Sequence, residues 1–169
     1  MATVTVVADT GPIIAFAKVD QLALLATLFG TLAISPVVKQ ELFAKQSPES
    51  KRIRQALSQL LIEIPVDEVT PRVAFATRNL DSGEAESIAL AAHLNTPLLI
   101  DDASGRKVAT KLGVAVVGTI GVLLRAKQLR MVEAVLPIAL EMRKRGYWFS
   151  DDLLEQAAVL TGEDIYPRI

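Results

Sequence analysis

The sequence predicts an α/β fold of three layers (α/β/α), in which helices cover both faces of a central, mostly parallel five-stranded sheet. Short runs of β-branched and aliphatic residues lack polar alternation, which is typical of strands buried on both faces. Segments with helical spacing of apolar residues separate these runs, as right-handed crossovers between parallel strands require. The predicted strands lie at 4–8, 31–34, 60–66, 97–100 and 114–117.

Turn and capping residues set the limits of the predicted helices. Gly11 and Pro12 turn the chain after the first strand, and Gly30 ends the helix that precedes the second strand. Ser35 and Pro36 form an N-cap and first-turn pair that opens the next helix. Residues 45–54 are polar and basic, which favours a loop and the start of a helix. Further helices are predicted at 71–78, 85–92, 104–112 and 118–127.

The pattern changes after residue 130, where no further strand is predicted. Pro137 is expected to kink or restart a helix whose apolar face begins at Val132. Ser150 opens a last helix, and Gly162 ends it. We therefore expect an α/β domain over residues 1–130 and a helical C-terminal extension over 131–169. The extension is predicted to pack on the domain through Val132, Val135, Leu153 and Leu154.

Composition excludes several classes of function. The 169 residues suit one domain, and a hydrophobic fraction of 51% supplies a full core. A net charge of −1 argues against a large non-specific DNA binder, but it allows a nuclease with a local acidic pocket. The absence of cysteine excludes disulfides and thiol chemistry and is compatible with a cytoplasmic protein. No apolar run reaches the roughly 20 residues that a membrane span needs, so no membrane partner is expected.

Acidic residues occupy the strand ends and helix starts. Asp9 ends the first strand, and Asp101 and Asp102 follow the fourth. Glu41 shares a helical face with apolar residues, and Glu84 opens a helix. Because the carboxyl ends of parallel strands lie at one edge of a sheet, we expect these five acids to cluster there.

Each acid also has a purely structural explanation. Asp9 and Asp102 stand where helix N-caps are expected. Glu41 is explained equally well as a surface acid. Glu84 lies three residues after Asp81, which is the spacing of a capping box. Taken singly, the acids leave both explanations open, and the joint pattern favours a cluster.

A cluster of carboxylates needs a compensating charge. Two carboxylates about 4 Å apart repel by roughly 4 kcal/mol at an effective dielectric near 20, against a typical domain stability of about 5–15 kcal/mol. The acids must be protonated, paired with arginine, or bound to a cation, and Arg106 can neutralise only one of them. All-oxygen ligands suit Mg²⁺ or Mn²⁺. A hard metal ion at a strand-end cleft indicates phosphate chemistry.

Competing catalytic sites are weak. His93 is the single histidine and lies near a predicted helix C-terminus, which argues against a serine triad. No glycine-rich phosphate loop is present. A phosphatase of the haloacid dehalogenase type would carry a second aspartate two positions after Asp9, where Gly11 stands.

The order of these residues resembles the PIN domain family. Asp9-Thr10 follows the first strand, Glu41 lies in the helix after the second, and residues 84–91 look like the family's acid-then-IALA helix. Residues 98–102 look like its strand followed by Thr-x-Asp, with Ile100 at the usual threonine, and this spacing favours Asp102 as the acid of the motif. Glu84 stands where aspartate is commoner. The resemblance covers about residues 3–127, and the tail is similar to the DUF3368 subgroup.

This resemblance implies a magnesium- or manganese-dependent ribonuclease that uses metal-bound water. Many such domains are VapC-like toxins, paired with an antitoxin protein and often dimeric. By the same resemblance Thr10 orients a carboxylate or water, and Asp101 assists four metal ligands: Asp9, Glu41, Glu84 and Asp102.

The resemblance also implies RNA as substrate, and basic residues are candidates for meeting its phosphates. The alternative for each is a solvated basic face, which is favoured for Lys51 and Arg54. The candidates are Lys45, Lys51, Arg52, Arg54 and Arg106.

Two other functions stay open. Glu84 stands in place of the commoner aspartate and Ile100 in place of the usual threonine. These two departures leave open a catalytically weak PIN-like module that binds RNA or a protein. A metal-dependent phosphatase is the third candidate. Cleavage of RNA with manganese separates the first two functions, and hydrolysis of a small phosphate ester separates the third.

Overall fold

A parallel five-stranded sheet forms the centre of the protein in a computed structural model that describes residues 4–165. Residues 1–3 of the predicted α/β domain and residues 166–169 of the predicted C-terminal extension lie outside the described residues. The strand order is β3-β2-β1-β4-β5, and every neighbouring pair is parallel. The strands are β1 (Val4–Ala8), β2 (Thr31–Ile34), β3 (Leu61–Glu63), β4 (Leu98–Leu99) and β5 (Val116–Val117).

All five predicted strands are present, so the predicted α/β fold is confirmed. β3, β4 and β5 are shorter than their apolar runs. β3 ends where its partner strand β2 ends at Ile34, and Pro65 does not interrupt the ladder, because Leu60 and Ile64 make the bonds to β2 while residue 65 faces away from it. The last bond of that ladder joins the Ile64 N–H to the Ile34 carbonyl at 2.9 Å.

Helices connect the strands and lie on both faces of the sheet. In the described part of the chain they are α1 (Thr10–Lys18), α2 (Leu22–Phe29), α3 (Pro36–Leu42), α4 (Ser50–Gln59), α5 (Pro71–Ala76), α6 (Ser82–Leu94), α7 (Ala103–Lys111), α8 (Thr119–Gln128), α9 (Leu136–Lys144) and α10 (Asp151–Thr161). Ser35 caps α3 as predicted, accepting a hydrogen bond from the Val38 N–H at 3.1 Å.

Two apolar clusters sandwich the sheet. Val6 and Ala8 of β1 belong to the larger cluster, which includes buried residues of α1, α2, α8, α9 and α10. Val7 faces the smaller cluster, which is formed mainly with α6 and α7. All three side chains are fully buried, which explains why β1 has no polar alternation.

The C-terminal helices pack directly against the larger cluster. Val135 and Leu154 are buried in it, and Val132 and Leu153 are partly buried against it. The expected helix through Val132 is wrong: residues 131–135 are irregular, and α9 begins at Leu136. Pro137 lies in the first turn of α9, where its missing N–H has no intrahelical partner to lose.

No helix among residues 4–165 has the length and the apolar character needed to cross a membrane.

We expect Leu154→Ala to lower the free energy of unfolding by about 2–5 kcal/mol, because the side chain is 1% exposed in the main cluster. Leu160→Ala on the same helix is the matched control, since Leu160 is 73% exposed and its truncation should cost about 0.5 kcal/mol or less. Urea unfolding of the full chain measures both. Equal midpoints for the two variants would show that α10 does not contribute to the core.

Candidate active site

Acids from separate elements face one another at the carboxyl edge of the sheet. Asp9 follows β1, and Asp102 follows β4 and is the N-cap of α7. Glu41 lies on α3, and Glu84 is in the first turn of α6. The charges of Glu41 and Asp81 act on Asp9, and those of Asp102, Asp81 and Asp9 act on Glu84. We call these five residues the acidic edge: Asp9, Glu41, Asp81, Glu84 and Asp102.

Asp9 is the most buried member of the acidic edge, with 8% of its surface exposed. It occupies the N-cap position of α1, yet its side chain makes no capping hydrogen bond. The Ser87 hydroxyl donates to its Oδ1 at 3.3 Å. The pKa of Asp9 is raised to about 6, first by burial and then by the charges of Glu41 and Asp81, while hydrogen bonds from the Thr10 backbone N–H and from Ser87 act to lower it. The capping explanation therefore does not account for this carboxylate.

Glu41 is an exposed residue whose carboxylate is nevertheless fixed in place. The Thr10 hydroxyl donates a hydrogen bond to its Oε2. The two carboxylate oxygens also lie where a side chain at Gly83 would begin, so any larger residue there would displace them. Sequence reasoning missed Gly83, although its position directly before Glu84 is a usable signal.

Glu84 combines a structural contact with an electrostatic one. Asp81 caps α6 by accepting a hydrogen bond from the Glu84 N–H at 2.9 Å, and the Asp81 N–H in turn favours the Glu84 carboxylate. The two hydrogen bonds of a capping box are therefore present between Asp81 and Glu84. The pKa of Glu84 is nonetheless raised to about 7, first by burial and then by the charges of Asp102, Asp81 and Asp9.

The structure separates the roles of the two adjacent aspartates. Asp102 caps α7 with Oδ2, which accepts the Gly105 N–H at 2.8 Å, and it acts on Glu84 through its charge. Asp101 instead accepts the N–H and hydroxyl of Thr119 at 2.7 and 2.6 Å, together with the Tyr147 hydroxyl. Both Asp101 oxygens are therefore occupied by protein donors. The expectation that Asp101 assists in holding a metal stays a prediction.

Tyr147 brings the C-terminal extension into the site, and sequence reasoning assigned it no role. Its hydroxyl lies 3.0 Å from where a Cβ at Gly11 would stand, so Gly11 makes room for it. Burial raises the pKa of Tyr147, and so do the charge of Asp101 and the hydrogen bond to it. The phenol is therefore a neutral hydrogen-bond donor that joins residue 147 to the ends of β1 and β4.

The predicted phosphate-binding residues divide into two groups. Arg52 donates to the Ala17 carbonyl at 2.9 Å and pairs with Asp20 at 3.5 Å. It stabilises the C-terminus of α1, and its role in binding substrate stays a prediction. Arg106 donates to the Ile100 carbonyl at 2.9 Å and lines a cavity of about 740 Å³ beside Asp101.

The other basic candidates, Lys45, Lys51 and Arg54, are exposed. Lys45 follows α3, the helix that carries Glu41. The Arg54 guanidinium lies 5.7 Å from the centre of the Phe43 ring.

The donors of the acidic edge fit a hard divalent cation by their chemistry. They are carboxylate oxygens, and the pKa values of Asp9 and Glu84, raised first by burial and then by neighbouring carboxylates, are not lowered by any cationic side chain. Within residues 4–165, no three acids or histidines are grouped closely enough to hold an ion as they stand. The acidic edge therefore suits a divalent cation by its oxygen donors and by its negative charge.

Comparisons with known proteins identify the family of the chain. A family model described as a PIN domain, DUF3368, matches residues 5–163, so the chain belongs to the PIN domain family. The fold is also similar to a PilT N-terminus domain protein, SSO1118, from the hyperthermophilic archaeon Sulfolobus solfataricus P2. The two chains are 21% identical with a TM-score of 0.55, and the match covers 72% of this chain and 92% of the other. A search of curated proteins found no match.

Raised carboxyl pKa values predict a pH dependence of stability in the metal-free protein. Between about pH 4 and pH 7 the folded chain binds more protons at Asp9 and Glu84 than the unfolded chain, so raising the pH lowers the free energy of unfolding. We expect the urea midpoint, measured with a chelator, to fall between about pH 5 and pH 8. The urea midpoint of Glu84→Gln should fall less over the same range, because the variant lacks one of the two titrating groups.

Glu163, whose pKa is lowered by Lys127 and two backbone N–H groups, acts in the opposite direction at more acidic pH, so the comparison starts at about pH 5. A urea midpoint that rises with pH in the wild type would contradict the raised pKa values of Asp9 and Glu84.

Proposed function

We propose that this protein is a ribonuclease that uses Mg²⁺ or Mn²⁺ to hydrolyse phosphodiester bonds. The observation that carries the proposal is the acidic edge, to which four separate elements contribute carboxylates, and where burial first and the neighbouring charges second raise the pKa of Asp9 and Glu84. PIN domains are generally nucleases that use divalent metal ions, which supports the proposal. RNA as the substrate comes from the family resemblance.

The chain's own residues hold and orient the ligand set. Asp9, Glu41, Glu84 and Asp102 would bind the ion. Once bound, Mg²⁺ or Mn²⁺ polarises the phosphoryl group and lowers the pKa of a water molecule. Ser87 and Thr10 hold Asp9 and Glu41 by hydrogen bonds, and the start of α7 holds Asp102.

Protons and metal ions compete for the same carboxylates. With a pKa near 7, Glu84 is about half protonated at neutral pH, and it must lose that proton to bind a cation. Metal affinity should therefore rise with pH through the neutral range. Arg106, which lines the cavity beside Asp101, would contact a phosphate of the substrate.

A second candidate function is a PIN-like module that binds RNA or a protein without cleaving it. The observation that favours it is the spacing of the acids, since no three of those described stand close enough to chelate an ion. Incubation of the purified chain with RNA and Mn²⁺ distinguishes the two functions. A small phosphate diester and a monoester in the same assay identify a phosphatase.

The toxin role, the antitoxin partner, the homodimer and the cytoplasmic location stay predictions from the resemblance and the composition. Growth arrest on expression, with relief by the product of a neighbouring gene, is the result expected of a toxin.

Asp9→Asn should affect stability in opposite directions with and without metal. At about pH 8 the variant removes one repelling charge and keeps the shape, so the metal-free variant should be as stable as the wild type or more stable. At about ten times its dissociation constant, Mn²⁺ should stabilise the wild type by roughly 1.4 kcal/mol and the variant by much less. RNA cleavage by the variant should fall to background. Thermal melts and a cleavage assay measure these effects.

The capping explanation predicts a different outcome for the same variant. Asparagine caps a helix nearly as well as aspartate, so a residue that only caps would leave stability, metal response and cleavage unchanged. Equal stabilisation of both proteins by Mn²⁺ would show that Asp9 is not a ligand.

Gly83→Ala should weaken the metal response at little cost in stability. The new methyl group would occupy the position of the Glu41 carboxylate, while alanine is itself the better helix residue by about 0.5–1 kcal/mol. The matched control is Gly121→Ala in α8, where the added Cβ meets Val117 at an ordinary 3.5 Å. We expect cleavage and Mn²⁺ stabilisation to fall only in the first variant. Identical behaviour of the two variants would remove Glu41 from the ligand set.

A further inference from the structure

Two exposed aromatic side chains have no explanation in the packing of the fold. The chain has only five phenylalanines, two tyrosines and one tryptophan. Phe75 is 67% exposed and Trp148 is 71% exposed. Each ring carries an arginine over its face, with the guanidinium carbon of Arg78 3.8 Å from the Phe75 centroid and that of Arg143 5.1 Å from the Trp148 centroid.

The Phe75–Arg78 pair lies beside the acidic edge on one face of the sheet. Phe75 is in the last turn of α5, and a short connection leads from there to Asp81, the cap of α6. The connection is fixed, because Thr77 is buried and Leu80 packs on the smaller apolar cluster. The Arg78 guanidinium also donates to the Phe75 carbonyl at 2.7 Å, which holds it at the ring.

The Trp148–Arg143 pair belongs to the opposite face of the sheet, where the segment between α9 and α10 reaches the end of β4 through Tyr147. Trp148 stands between Tyr147 and Phe149, whose rings meet edge to face at 5.2 Å on the inner side of the segment. Tyr147 is bound to Asp101, so the backbone of residue 148 is one Cα–Cα step, about 3.8 Å, from a residue that reaches the end of β4. Arg143 is held by Asp151 at 2.7 Å.

We propose that these two arginine-capped rings are stacking platforms for bases of a single-stranded RNA that crosses the acidic edge from one face of the sheet to the other. The proposal rests on the ribonuclease function and names how that site holds its substrate. Unpaired bases stack on aromatic rings and on guanidinium planes, whereas the bases of a duplex are already stacked and unavailable. The preference is therefore for single strands, with little selection among bases.

Charge favours this occupant over an apolar protein surface. A net charge of −1 and an acidic site give RNA little long-range attraction, so local contacts must supply the affinity. Both exposed rings carry a cation, which suits a base with a phosphate beside it. The exposed aliphatic side chain of Val159 on α10 provides a contrast, because it has no ring on which a base could stack, and it serves as the control.

The single tryptophan gives a direct readout. We expect a single-stranded uridine oligonucleotide of about 12 residues, added with a chelator to prevent turnover, to quench Trp148 fluorescence in a saturable way. A duplex RNA of the same length should quench it far less. In fluorescence anisotropy with a labelled oligonucleotide, Trp148→Ala and Phe75→Ala should each weaken binding about tenfold. Trp148→Phe should retain most of the affinity, and Val159→Ala should bind as the wild type does.

The outcomes separate this proposal from the ribonuclease function. Unchanged fluorescence at saturating RNA, with wild-type affinity in both alanine variants, overturns the platforms whether or not the protein cleaves RNA. A wild type that is quenched by RNA but does not cleave it with Mn²⁺ contradicts only the ribonuclease function. If Trp148→Ala alters self-association and leaves RNA affinity unchanged, the ring belongs to a protein interface and the proposal is wrong.

Discussion

Repulsion among carboxylates held at one edge of the sheet is the constraint on which the site depends. The backbone positions of Asp9 and Asp102 follow from two neighbouring buried strands, so these acids cannot move apart without breaking the core. The unfolded chain has no such constraint, which makes the repulsion a property of the folded state alone. The fold tolerates it by protonation at low pH, and we infer that a cation replaces the protons at higher pH.

The C-terminal extension is tied to the rest of the fold by a few specific contacts, one of which reaches the end of β4. Tyr147 joins it to Asp101, and Arg145 donates to the Lys18 carbonyl at the end of α1 at 2.8 Å. Glu163 accepts the N–H groups of Val135 and Leu136, each at 2.9 Å, and so caps α9 from the far end of the chain. These contacts explain why an irregular segment between α9 and α10 can hold Trp148 in a defined place. The extension is part of the site as well as of the core.

Local patterns were enough to predict the sheet but not the partners of every acid. The strand at Val4–Ala8 was predictable because β-branched residues buried on both faces leave an uninterrupted apolar run. The acidic edge was predictable because parallel strands end together. The hydrogen-bond partners of Asp101 were not predictable, because its donors lie 18 and 46 residues away, at Thr119 and Tyr147, and no local pattern encodes such pairings. The same holds for Arg52, which caps a helix 35 residues earlier.

An acidic edge repels the substrate that it is proposed to cleave, and this sets conditions on how RNA can bind. Without a cation, each phosphate that approaches Asp9 or Glu84 meets like charge, and the chain as a whole offers no basic field to offset it. A bound divalent ion reverses the local sign, so metal and substrate binding must be coupled and each must strengthen the other. Contacts that do not depend on charge, such as base stacking, escape this repulsion. An enzyme built this way should depend less on ionic strength than one that binds RNA through a basic groove, because fewer lysine and arginine contacts release counterions.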